Sequence, residues 1–591
     1  MKMGRCAVLA LLFVMSCSCA CCGQMTMARY DPEQSSSTTE QLKLPLALSW
    51  EFVGNKFDNN PAAPIVVDGV VYFACGDRVY AVDLATGSLI WKYPGADMGL
   101  GGSVKGTPAY HNGSIFFGAT DENLYCLDAR TGSFKWAYKV RGAIRCPPVI
   151  VEDVVYVGAD DESLYAIEAE TGERRWVFTS RDDIAIGVAV GTGMAVVSSM
   201  DGNMYGLSQG TGRLRWIFRL PMAPTDSSPV ITESVVVMAV GNSVYGLSVR
   251  SGQQRWQVTL RSEAAATPAA QGFDVYVPCK DKKIYAYLTN GRQPVPKWTQ
   301  PADLGAIPMS SPVVAGDTVW VTGLRGVVAA FSALDGSLKW RYTIAPSPVT
   351  MPGALYCDAA SSPTVAEGAL LVLTDDGVLH CFKPDAPDHC PPALFAATPA
   401  NGSLMSGAPP IKISGVLYDI GSGVDFSTAK ITLDGQPVEA EVDVPTGTVS
   451  YRTEVGGAGK QAVVLSDGIH RIAVSARDYA GNVMTKDWYI ITDASLPPPR
   501  RAAPTEEPGK KEKAPRTRQT PPTPPTAPAM PGGQPATPEM PPGVEAPPPP
   551  PPPPGPGMAP GSGGPPGPGM EPGPAAPPAT GTSPSGAPRP F

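Results

Sequence analysis

Histidine is nearly missing from this chain: four occur in 591 residues, at 111, 380, 389 and 470. They form no HxxxH or HExxH pattern, which argues against a helix-borne zinc hydrolase site. Charge is also sparse, at 17% of residues, with a net charge of −8. No basic excess is available to follow a phosphate backbone, so general nucleic-acid binding is excluded. Long apolar runs are absent too. The best is residues 7–15, AVLALLFVM, too short to serve as a spanning helix. Of the twelve cysteines, the seven beyond residue 22 (75, 126, 146, 279, 357, 381, 390) contain no CxxC. No metal-ligand spacing follows from them. An exported location would permit a disulfide, with Cys357 to Cys390 or Cys381 as the best pairing.

The chain does begin with an export pattern: Lys2 and Arg5, the apolar core 7–15, then SCSCACCG. The stretch VMSC resembles a bacterial lipobox, which makes Cys17 the expected lipidation site, with Cys21 as the fallback. Residues 1–22 are therefore expected to be a signal peptide with lipobox. Residues 23–45, polar and without apolar pattern, are expected to be a flexible tether.

Residues 46–390 repeat. Tryptophans at 50, 91, 136, 176, 216, 256, 298 and 340 recur with a period near 40, and each ends a phrase such as AVDLATGSLIWKY (residues 81–93). Each unit reads as four short strands joined by tight turns, a propeller blade rather than a helical repeat. A small residue and proline open most units: Thr107-Pro108, Cys146-Pro147, Ser228-Pro229, Thr267-Pro268, Ser311-Pro312 and Ser362-Pro363. The last unit stops at PDAPDHCPP without Thr-Gly or tryptophan, while Trp50 lacks strands of its own. The strand around Trp50 is thus expected to complete the last blade, closing an eight-bladed ring.

The phrase AxDxxTGxxxW, filled by Ala81, Asp83, Thr86, Gly87 and Trp91, resembles the tryptophan docking motif of quinoprotein-type (PQQ-like repeat) eight-bladed propellers. The plan is similar to the propeller lipoprotein of the outer-membrane barrel assembly machinery (BamB-like). The resemblance implies an all-β fold with a structural docking role for Asp83, Thr86, Gly87, Trp91, Trp136, Trp176, Trp216, Trp256, Trp298, Trp340 and Trp50. The copy at residues 286–298 is one residue longer and degenerate.

The dehydrogenases of this superfamily add long insertions, an acid-and-amide Ca²⁺ site, a catalytic aspartate and often paired cysteines. None is evident here, so no enzyme activity and no cofactor (neither PQQ nor Ca²⁺) is expected. The expected function is a non-enzymatic envelope lipoprotein, a scaffold for envelope proteins or glycans, with outer-membrane protein assembly as one role. It is expected to be anchored by its lipid at the outer membrane or cell surface. The alternatives are a PQQ-dependent dehydrogenase of alcohols or sugars, and a surface glycan-binding or adhesion protein. A charged rim of Arg141, Arg145, Asp160, Asp161 and Arg181 is the candidate binding surface, and the long crossover 345–360 a candidate contact loop.

Beyond the repeat, residues 391–495 alternate as about seven short strands. They are expected to form a β-sandwich resembling immunoglobulin-like or fibronectin-like modules. In its DYAGN segment Asp478 and Asn482 offer Ca²⁺ ligands or a turn, the turn being the expectation. Residues 496–591, with unbroken proline over 547–554, are expected to be a disordered Pro/Gly-rich tail.

Overall fold

A computed structural model describes residues 24–54, 62–95, 99–351, 354, 356–453 and 463–497. Cys17 and the expected export signal lie outside the described residues, as does the tail from residue 498 on. The described residues all belong to one compact unit, Met1–Ala503.

Eight four-stranded antiparallel units follow one another. Blade 1 is Ile65–Val67, Val70–Cys75, Arg78–Asp83 and Leu89–Tyr93, paired in that order. Its innermost three residues are all buried, while the outer strand leaves Leu89, Ile90 and Lys92 exposed and buries Trp91. That is the burial gradient expected of strands radiating from an axis. Blades 2 to 7 begin at Ala109–His111, Val149–Val151, Val188–Gly191, Val230–Thr232, Ala269–Gln271 and Val313–Ala315. Blade 8 joins both ends of the ring: Ala47–Val53 pairs with Val378–Lys383, beside Ala369–Leu373 and Thr364–Ala366. Thr364 Oγ1 donates to Pro64 O of blade 1 at 2.7 Å. The eight-bladed all-β propeller is as the repeat predicts.

The tryptophan phrase is a joint between neighbours. Trp91 of blade 1 donates Nε1–H to Ala129 O of blade 2 at 2.8 Å. Trp50 does the same to Leu84 O, Trp136 to Ala169 O, Trp176 to Gln209 O, Trp216 to Val249 O and Trp298 to Ala333 O. The indole lies flat on the next blade's Thr-Gly turn. A Cβ on Gly132 would stand 2.7 Å from the Trp91 ring, and its φ of +69° already favours glycine. Asp83 braces its own turn, Oδ1 accepting from Thr86 N at 2.8 Å and Thr86 Oγ1 at 2.7 Å. These hydrogen bonds hold the Asp83 carboxyl below the usual range.

Two joints depart from the pattern, both at degenerate repeats. Trp256 faces blade 6, which has no Thr-Gly turn, and its Nε1 has no hydrogen-bond partner among the described residues. Trp340 faces blade 8, where the turn is missing, and donates instead to Ser422 O at 3.0 Å, 82 residues along the chain.

Ser422 belongs to the C-terminal module. One of its sheets is Ala393–Thr398, Lys412–Tyr418, Thr448–Arg452 and Glu441–Asp443. The other orders Ser403–Met405, Val483–Thr492, Gly468–Asp478, Val424–Leu433 and Gln436–Val438. Ile413, Val449, Ile472, Val474, Trp488 and Ile490 from both sheets form one apolar core.

Two expectations are corrected. Residues 24–45 are no tether: Met25, Gln34 and Ser36 are buried. This segment runs across the axis and supplies carbonyls to the inner strands in turn. Tyr110 N donates to Thr26 O, Val190 N to Pro32 O, Ile231 N to Glu33 O, Ala270 N to Ser35 O and Val314 N to Ser36 O. Inner strands that radiate from an axis leave backbone donors unpaired there, and the main-chain carbonyls of this segment satisfy these five. The expected disulfide is also absent. All seven described cysteines are free, with Cys357 and Cys381 buried and Cys390 exposed.

Candidate functional site

The plug closes one end of the central channel and leaves a funnel of about 540 Å³ on the other side. Its floor carries Met25, Ala28, Arg29, Gln34 and Ser36 of the plug. Its wall is built from the residues that open each blade, among them Thr107, Pro147, Gly187, Ser228, Thr267, Ser311 and Ser362. Proline fixes the entry into most inner strands, so the residue before it recurs at a matching place around the axis.

The charge in this funnel is of one sign. Arg29, Lys105 and Arg145 line it, and among the described residues no Asp or Glu does. Arg29 is anchored by three donations: Nε to Gln34 O at 2.9 Å, Nη1 to Ser311 Oγ at 3.0 Å, and Nη2 to Pro268 O. It makes no ion pair among the described residues. Burial pulls its pKa down to about 9, with Asp31 opposing the fall, and it stays charged at neutral pH. Arg145 reaches over the wall and pairs with Asp160 at 2.7 Å. Asp160 Oδ1 is buried without a hydrogen-bond partner, and burial raises the Asp160 pKa against the pull of Arg145. Hydroxyls at Thr107, Ser228, Thr267, Ser311 and Ser362 add neutral donors.

The expected rim residues separate. Arg145 enters the funnel and Asp160 stands behind it. Asp161 is a structural brace, its Oδ2 accepting from Tyr165 Oη at 2.6 Å and Arg141 N at 3.0 Å. The brace recurs four residues apart at Asp121–Tyr125, Asp201–Tyr205 and Asp281–Tyr285, so these acids are tied into their own blades. The Arg141 and Arg181 residues are exposed and outside the funnel lining. The crossover 345–360 is held by Asp376, which accepts from Ser347 N at 2.9 Å. A larger cavity of about 640 Å³ lies between blades 6 and 7 and the C-terminal module. Arg325 and Arg341 face Asp303, Asp419 and Asp443 there, so its charge is mixed and selects no ligand sign.

Arg29 and Lys105 were not foreseen. Arg29 stands in a segment whose polar composition reads as solvated. The signal that was available is the Ser or Thr before proline that opens five of the blades, which places five hydroxyls around one axis.

The fold and funnel define a PQQ-like repeat propeller. The family model described as outer membrane protein assembly factor BamB matches residues 76–228 and 200–388, and the chain belongs to that family. It is 36% identical over 116 residues to the dehydrogenase subunit of the quinone alcohol dehydrogenase of Gluconobacter oxydans, covering 18% of this chain and 15% of that protein. It is 31% identical over 137 residues to the quinoprotein alcohol dehydrogenase PedH of Pseudomonas putida, covering 21% of this chain and 22% of that protein. The matched stretches thus span less than a quarter of these curated relatives. The solved quinohemoprotein alcohol dehydrogenase ADHIIG from Pseudomonas putida HK5 superposes with a TM-score of 0.51 at 15% identity, over 66% of this chain and 83% of that one. At that identity the likeness is one of fold.

These relatives correct the functional expectation. They are named as quinone-dependent alcohol dehydrogenases, which corrects the expected non-enzymatic scaffold and the expected absence of enzyme activity and of a quinone cofactor.

Proposed function

We propose that this chain is a quinoprotein-type dehydrogenase of alcohols or sugars whose basic funnel seats an anionic quinone. The observation that supports this reading is the floor of the central channel. Arg29 is fixed there without a carboxylate partner among the described residues, with Lys105 and Arg145 in the same lining and no described Asp or Glu beside them. PQQ carries several carboxylates on a flat ring, and such a ligand suits cations at the base of a cavity of about 540 Å³.

The fit is partial. Arg29, Lys105 and Arg145 would hold carboxylates, and the Ser and Thr ring would hydrogen-bond ring oxygens. A divalent cation beside the quinone is not matched by the described lining, which offers it no carboxylate. When bound, the quinone would supply a two-electron acceptor for an alcohol carbon.

The test is dye-linked oxidation of a panel of primary alcohols and sugars after adding PQQ to the full chain. Activity in the wild type that falls at least a hundredfold in Arg29→Gln supports the reading. Absence of PQQ-dependent oxidation across the panel contradicts it. The proposal includes an envelope location, supported by the export pattern and Cys17. Loss of membrane association in Cys17→Ser is the expected result.

A further inference from the structure

The joint that replaces blade 8's missing turn contains three aspartates. Asp388 stands in the PDAPDHC segment that follows Val378–Lys383. Asp419 follows Lys412–Tyr418, and Asp478 ends Gly468–Asp478. One oxygen of each lies within 4.8 Å of one of each of the others. Asp419 and Asp478 are 5% and 2% exposed. No Lys, Arg or His forms an ion pair with any of the three among the described residues. Uncompensated buried carboxylates this close are costly, and a cation or a proton must offset them.

The hydrogen bonds orient the group without filling it. Asp478 accepts from Asn482 N at 2.7 Å and Asn482 Nδ2 at 2.8 Å. Asp388 accepts from Ser422 N at 2.8 Å and Cys390 N at 3.0 Å. Asp419 commits only Oδ2, to Gly423 N at 2.8 Å and Gly421 N at 3.0 Å. Its Oδ1 is buried and has no hydrogen-bond partner among the described residues. Such an atom in a 95% buried side chain marks an unmet ligand requirement beyond mere acidity. Burial, with Asp388 and Asp478 alongside, also pushes the Asp419 pKa up to about 6, despite the two glycine N–H groups.

We propose that Asp388, Asp419 and Asp478 bind one divalent cation of Ca²⁺ type at the joint between the last blade and the C-terminal module. An all-oxygen, carboxylate-rich donor set suits a hard cation. The ion would fix the loop 419–423, whose Ser422 and Ile420 carbonyls accept from Trp340 Nε1 at 3.0 Å and Tyr342 Oη at 2.8 Å. Metal binding would then lock the module into the place of the missing turn. None of the three aspartates lines the funnel, so this proposal stands independently of the quinone reading.

The test is calorimetric titration of Ca²⁺ into the chelator-treated, quinone-free full chain, with melting temperature followed in parallel. One binding event is expected, with a rise in melting temperature. Affinity should fall at least tenfold in Asp478→Asn and in Asp388→Asn, the latter at a half-buried position that folding tolerates more readily. Circular dichroism of each variant confirms its fold. No binding of Ca²⁺, Mg²⁺ or Mn²⁺ at millimolar concentration to the wild type overturns the proposal. So does binding that a folded Asp388→Asn variant retains unchanged, because the ion is then elsewhere.

Discussion

Single residues carry the joints between blades. Six of the close glycine–tryptophan contacts, those at the Thr-Gly, Ser-Gly and Asp-Gly turns, put two demands on one position, a positive φ and space for an indole. Gly113 meets only the first: its φ is +71° and a Cβ there would touch nothing within 4 Å. We therefore expect Gly132→Ala to lower stability by about 2–4 kcal/mol and Gly113→Ala by only about 1 kcal/mol, from backbone strain and overpacking. Denaturant midpoints of the two variants check this. In the C-terminal module, His470 Nδ1 and Asp434 Oδ2 are 2.6 Å apart, and its Nε2 is 2.7 Å from Ser466 O. Burial opposes its protonation, but these partners outweigh it and raise the His470 pKa. The contribution is complete below the unfolded value of about 6.5 and disappears as pH rises through the higher folded value. His470→Gln should therefore cost more stability at pH 6 than at pH 9, measured by chemical unfolding at both.

At the scale of the element, the blades were legible and the plug was not. Strand, turn and tryptophan recur because each blade solves the same packing problem, and periodicity reports a repeated solution. The degenerate copy at residues 286–298 marked the one joint where an indole lacks its acceptor. Trp256→Phe should thus cost about 1 kcal/mol less than Trp216→Phe, since only Trp216 gives up a hydrogen bond, to Val249 O at 2.7 Å. The segment 24–45 solves a problem that occurs once, on the axis, so nothing in the sequence repeats to announce it. It pairs with the inner strands through its main-chain carbonyls, which any composition supplies, so its polar side chains look the same as those of a solvated linker. Hydrogen exchange distinguishes the two. The amides of Val190, Ile231, Ala270 and Val314 should be as protected as the blade interiors; exchange at unfolded-chain rates would contradict the plug.

At the scale of the whole molecule, the ring is closed twice, by Ala47–Val53 completing blade 8 and by the module supplying Ser422 to Trp340. The first closure could be read from the missing Thr-Gly after Lys383, because counting repeats exposes the gap. The second could not, because it joins residues 82 apart through a backbone carbonyl. Tyr342→Phe removes a hydrogen bond across that closure and should lower stability by about 1 kcal/mol in equilibrium unfolding. The funnel is likewise a property of the assembled ring. Arg29, Lys105 and Arg145 belong to three separate segments, and only closure around a plugged axis brings their charges to one cavity. Equilibrium titration of PQQ into the purified full chain, followed by its absorbance, tests this most directly. Saturable one-to-one binding that weakens at least tenfold in both Arg29→Gln and Lys105→Gln is the predicted result. No saturable binding to the wild type, or binding indifferent to both substitutions in folded protein, would contradict the funnel as a seat for an anionic quinone.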